Sequence, residues 1–152
     1  MEENCSQVRV PTAKFVQILN IHGNHCITLS NLACAQGAIQ CFDSMSNSTG
    51  LQNNDKFNCQ VASLFDSDTM NIKVINVNIK QQEGASDCGL FAIVCATSLC
   101  FDMPPEDQNF AQEHMRNHPA DCFRNGVKVP FHVNPQTLKL KSNPLSYDII
   151  IC

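Results

Sequence analysis

The chain has 152 residues, 43% of them hydrophobic, and a formal net charge of −4. That is enough apolar chain for one buried core, whereas the negative balance and the lack of any Lys or Arg run argue against phosphate-backbone binding. No apolar run reaches bilayer-spanning length, and the N-terminus carries no secretory pattern. The ten cysteines therefore read as free thiols of a reducing, intracellular compartment, and the acceptor sequences at Asn4 and Asn47 carry little weight. No Cys-x-x-Cys pair occurs, and the nearest approach to a metal cluster (His22, His25, Cys26, Cys34 and Cys41) is irregular in spacing.

In chain order, Lys14 to Ile21 and Cys26 to Leu32 read as strands with Gly23-Asn24 turning between them, and Ala38 to Phe42 as a third. Ser44 to Asn54, rich in Asn and Ser, reads as an exposed loop. Phe57 to Phe65 has helical apolar spacing, and Asn71 to Ile79 alternates like a half-buried strand. A buried helix is expected from Cys88 through Leu99, an acidic helix start at Pro104-Pro105-Glu106-Asp107, and a second helix over Asn109 to Phe123 that Pro119 should end or kink. Ser142-Asn143-Pro144 breaks the chain before a last apolar strand. Strands first and helices later point to an α+β fold.

The most informative stretch is Gln81 to Phe91 (QQEGASDCGLF), which puts one thiol where a turn ends and a helix begins. Gly84 permits a tight bend, Ser86 and Asp87 are N-cap types, and Cys88 falls in the first helical turn, where the helix dipole favours thiolate. Three polar residues at element ends complete a constellation: His25 opening a strand, Asp43 closing another, and Gln82 six residues before Cys88. Antiparallel neighbours would bring the start of one strand beside the end of the next, so His25 and Asp43 can meet across a pair. An imidazole beside the thiol can take its proton and return it to a leaving amine, a carboxylate can fix the imidazole tautomer, and a side-chain amide can donate to an oxyanion. Taken singly, His25 beside a turn and Asp43-Ser44 as a turn pair read more readily as ordinary turn positions than as a site.

The order His, Asp, Gln, Cys changes that balance. With Gly23-Asn24-His25 entering a strand, Phe42-Asp43-Ser44 and Gln82 to Phe91 in place, the chain resembles the ubiquitin-like-protein-specific (SUMO/sentrin-specific) cysteine proteases, an adenain-like family. Met115-Arg116-Asn117-His118 and Pro130-Phe131 are similar to the end of that domain, so the resemblance covers about Val16 to Phe131. It implies a papain-like α+β cysteine proteinase fold, a central mixed β-sheet flanked by helices, with the catalytic domain at residues 1–135 and a C-terminal tail at 136–152. It further implies cleavage of peptide or isopeptide bonds after the Gly-Gly tail of SUMO or a related modifier. In these roles Cys88 attacks the carbonyl, His25 moves the proton, Asp43 orients His25 and Gln82 stabilises the oxyanion. No metal or organic cofactor, nucleic acid or membrane is implied; the expected partners are ubiquitin-like modifiers and their conjugates, met by a monomer in nucleus or cytoplasm.

The chain also departs from the family pattern. The family carries Trp directly after the catalytic His, covering the tunnel for the Gly-Gly tail; here Cys26 stands there and the chain has no Trp. Only 24 residues precede His25, fewer than in family domains, which is the expectation for an N-terminally truncated, transposon-associated copy. Two readings follow: a working thiol protease, or a catalytically impaired remnant that binds a ubiquitin-like protein without cutting it. Acyl transfer on the same thiol is a third. The intact four-residue set favours the protease.

Overall fold

A computed structural model describes residues 13–21, 23–45, 50–65, 70–135 and 145–151. Strands β1 (Val16–Ile21) and β2 (His25–Ser30) form an antiparallel hairpin from Val16 opposite Ser30 to Ile21 opposite His25. Gly23 takes the bend at φ 78°, a left-handed conformation that costs a glycine little. Strand β3 (Ala38–Phe42) runs antiparallel to β2, β4 (Met70–Val77) parallel to β3, and β5 (Leu145–Ile151) antiparallel to β4. The sheet is thus mixed, five-stranded and ordered β1-β2-β3-β4-β5. The last apolar strand expected from sequence is β5, so residues grouped there with the C-terminal tail supply a sheet edge.

Parallel neighbours need a crossover, and between β3 and β4 it contains helix α1 (Asp55–Ser63). The Asn54 side chain caps that helix by accepting from the Phe57 N–H at 3.0 Å. Phe57 and Val61 of α1 are fully buried against Ile27, Leu29, Ile39, Ile72 and Val74 of the strands. Phe42 follows Cys41 and so points to the other side of β3, where it packs with Val77, Ile79 and Cys95 of helix α2 (Cys88–Cys100). The sheet is therefore covered on both faces.

Helix α2 is apolar around much of its circumference because it is wrapped on more than one side. Thr28 Oγ1 donates to the Ala92 carbonyl at 2.7 Å, tying the helix to β2. Phe91 and Val94 pack with Phe110, Met115 and Phe131. Deleting most of any one of these buried side chains would cost about 2–5 kcal/mol.

Three local expectations are corrected. The single helix over Asn109 to Phe123 is two, α3 (Gln112–Met115) and α4 (Asn117–Asn125), broken at Arg116. Pro119 accounts for that break: it has no N–H for the Met115 carbonyl four residues back and its ring crowds that carbonyl, so it falls instead in the first turn of α4, where the missing N–H leaves no intrahelical bond unmade. Pro105–Asp107 is one short 3₁₀ turn, not an α-helix start. Of the Asn/Ser-rich patch, residues 46–49 lie outside the described residues, whereas Leu51–Asn53 form a 3₁₀ turn with Leu51 buried. Asn4, Asn47 and His22 also lie outside them.

Candidate active site

The antiparallel register of β2 and β3 sets Thr28 opposite Phe42, which brings the first residue of β2 beside the residue that follows β3. Those residues are His25 and Asp43. His25 Nε2 lies 2.8 Å from Asp43 Oδ1, and the two are 7% and 3% exposed. The same carboxylate oxygen accepts the Met45 N–H at 2.8 Å, which fixes its orientation. Hydrogen bonding to Asp43 raises the His25 pKa above the ordinary imidazole value; burial opposes this, and the Asp43 charge and Cys88 reinforce it.

Cys88 is the first residue of α2 and is 7% exposed, with Sγ 3.7 Å from the Asn24 carbonyl oxygen in the turn before His25. Burial pushes its thiol pKa up, but the Cys26 backbone, the His25 imidazole and the Gly89 backbone outweigh it, and the net shift is downward. The thiol is shifted toward thiolate and the imidazole toward imidazolium, each in part by the other. His25 Nδ1 is buried and lies on the side of the ring away from the nitrogen that Asp43 holds. Other thiols move the opposite way. Burial raises Cys34 and Cys41, and carries Cys95 far above the ordinary range.

Gln82 is stitched to the turn that carries Asp43. Its N–H donates to the Ser44 carbonyl at 3.1 Å, and its Oε1 accepts from Ser44 Oγ at 2.6 Å. Nε2 donates to the Gly84 carbonyl at 2.9 Å, which uses one of its two hydrogens. Next to it, Gln81 Nε2 donates to the Asp43 carbonyl at 3.1 Å. The structure thus joins His25 to Asp43 directly, sets the Cys88 thiol at the Asn24 carbonyl beside His25, and attaches Gln82 through Ser44 to the turn that carries Asp43. Sequence reasoning missed Ser44 as the residue that orients the Gln82 amide. It stood in the aromatic-Asp-Ser motif, but its partner lies 38 residues away.

Cys26, standing where the family has Trp, is half-buried, and its Sγ accepts from Asn20 Nδ2 at 3.5 Å across the hairpin. Among the described residues no three His, Cys, Asp or Glu side chains are grouped to hold a metal ion.

The family model for the Ulp1 protease family, C-terminal catalytic domain, matches residues 10–130. Comparisons with the curated proteins and with the solved structures return no match. With most of its length matched, and with a thiol, an imidazole and a carboxylate gathered at the ends of β2, β3 and α2, the chain belongs to the Ulp1 protease family, cysteine peptidases of papain-like α+β fold that act on ubiquitin-like modifiers.

Proposed function

We propose that this chain cleaves peptide or isopeptide bonds that follow the Gly-Gly tail of SUMO or a close relative, through a Cys88–His25–Asp43 thiol mechanism. The observation that carries the reading is the buried His25–Asp43 pair, 2.8 Å apart, beside a thiol at the first residue of α2; the downward shift of Cys88 and the upward shift of His25 support it. Cys88 transfers its proton to His25 Nδ1 and attacks the scissile carbonyl carbon. The carbonyl π-electrons move onto oxygen, where the free hydrogen of Gln82 Nε2 is the donor proposed to meet the charge. As the tetrahedral adduct collapses, the C–N bond breaks and His25 returns the proton to the leaving amine. Water, deprotonated by His25, then hydrolyses the thioester and regenerates the thiol. Asp43 acts throughout by holding Nε2 and stabilising the imidazolium.

A modifier with a Gly-Gly C-terminus blocked by a fluorogenic amide tests this. Release of the dye from the SUMO substrate, faster than from the ubiquitin one and absent in Cys88→Ala, is the expected result. The binding-module reading is favoured by one observation, Cys26 in place of the tunnel Trp, and predicts binding of the same modifier with no release in the unaltered chain.

A further inference from the structure

The turn that delivers Cys88 has few internal restraints. Glu83 to Ser86 are exposed, Gly84 takes the left-handed φ of 77°, and Asp87, at the N-cap position of α2, makes no side-chain cap to that helix. The Asp87 carboxylate is engaged elsewhere. Gln112 Nε2 donates to Asp87 Oδ2 at 2.8 Å, and Arg116 Nη2 donates to Asp87 Oδ1. Gln112 also grips the other end of the turn, its Oε1 accepting the Glu83 N–H at 2.9 Å and its Nε2 donating to the Glu83 carbonyl at 3.0 Å.

Gln112 opens α3 and Arg116 caps it, four residues on and so on the same face. Met115 between them is 1% exposed in the cluster with Phe91, Val94, Phe110 and Phe131. The clamp is therefore anchored in the core that also seats α2, while its polar ends reach over both ends of the turn. A helix N-terminus held only by its own cap would need none of this.

We propose that Gln112 and Arg116 are positioning residues: by bridging Glu83 and Asp87 they hold the nucleophile turn so that the Cys88 thiol meets the backbone of Cys26 and Gly89 and the imidazole of His25. Their hydrogen bonds go to Glu83 and Asp87 and not to Cys88, His25 or Asp43. The proposal rests on the reading of Cys88 as nucleophile. Its consequence is that a loosened clamp lets those partners drift from the sulfur, and thiolate character is lost without any change to His25 or Asp43. Misplacement of about 1 Å at a reacting group can cost on the order of 100-fold in rate.

The test is the pH dependence of Cys88 alkylation by iodoacetamide, mapped by mass spectrometry, beside kcat, KM and Tm on the full chain. Gln112→Glu keeps the acceptor for the Glu83 N–H, removes both donor bonds and sets a second carboxylate against Asp87. It should move the Cys88 profile to higher pH and lower kcat about 10- to 100-fold with little change in KM. Arg116→Ala, at a side chain 65% exposed and thus tolerant of truncation, should move both in the same direction by less, and Arg116→Lys should restore them in part. Unchanged alkylation profiles in both Gln112→Glu and Arg116→Ala, beside an unaltered chain whose Cys88 reacts preferentially, overturn the clamp alone. A kcat that falls only in step with Tm overturns it as well. An unaltered chain whose Cys88 is not the preferentially reactive thiol overturns the nucleophile reading and the clamp with it.

Discussion

His25 Nε2 and Asp43 Oδ1 lie 2.8 Å apart, joining the first residue of β2 to the residue that follows β3, with both side chains almost fully buried. Hydrogen bonding to Asp43 is the largest cause of the raised His25 pKa. Asp43→Asn should therefore let His25 lose its proton at lower pH, and the basic limb of kcat/KM should shift toward acid. The sign for stability is the same. A raised imidazole contributes stability that is present below its unfolded value of about 6.5 and is lost as pH rises through the folded value, so the variant should lose stability chiefly on the acid side. Titration of kcat/KM, with unfolding followed at two pH values, checks both; because thiol and imidazole are coupled, the limbs belong to the pair.

Gln82→Ala should lower kcat by about 10² to 10³ with folding and affinity nearly unchanged, as expected for one oxyanion donor. Ser44→Ala should cause a smaller loss in kcat, because it frees the Gln82 amide to rotate while leaving it in place. Steady-state kinetics of the two variants, with a loss confined to KM as the contrary result, decides.

Cys26→Trp tests the missing tunnel cover. The thiol is half-buried and its contact with Asn20 is a weak one, so the exchange removes little. Cleavage of a Gly-Gly substrate should rise; a folded variant with unaltered turnover would mean that more of the tunnel than one side chain differs from the family.

Thr28→Val removes the hydroxyl that ties β2 to α2 and leaves the Ala92 carbonyl without that donor inside the protein. The cost should be about 1–3 kcal/mol, read as a lower denaturation midpoint at unchanged m-value.

Much of this arrangement was legible in the chain because it follows from local rules. Ala38 to Phe42 was bounded as observed, and the pairing of His25 with Asp43 follows from antiparallel geometry once both strands are placed. The break at Arg116 is what Pro119 predicts, since it has no N–H to offer the Met115 carbonyl four residues before it, whereas the start of α3 at Gln112 instead of Asn109 carries no local signal. Asp87 was expected as a helix cap from its type and position; its real partners, Gln112 and Arg116, lie 25 and 29 residues on and are brought to it only by the fold. The Ser44–Gln82 bond was hidden for the same reason.

Whether Cys88 is the nucleophile is decided by reaction of the chain with a SUMO bearing a C-terminal electrophile. The expected result is a one-to-one covalent adduct mapped by mass spectrometry to Cys88, abolished in Cys88→Ala and slowed in His25→Ala. Tight binding with no adduct, or an adduct at Cys26 or the exposed Cys59 with Cys88 unmodified, would contradict it.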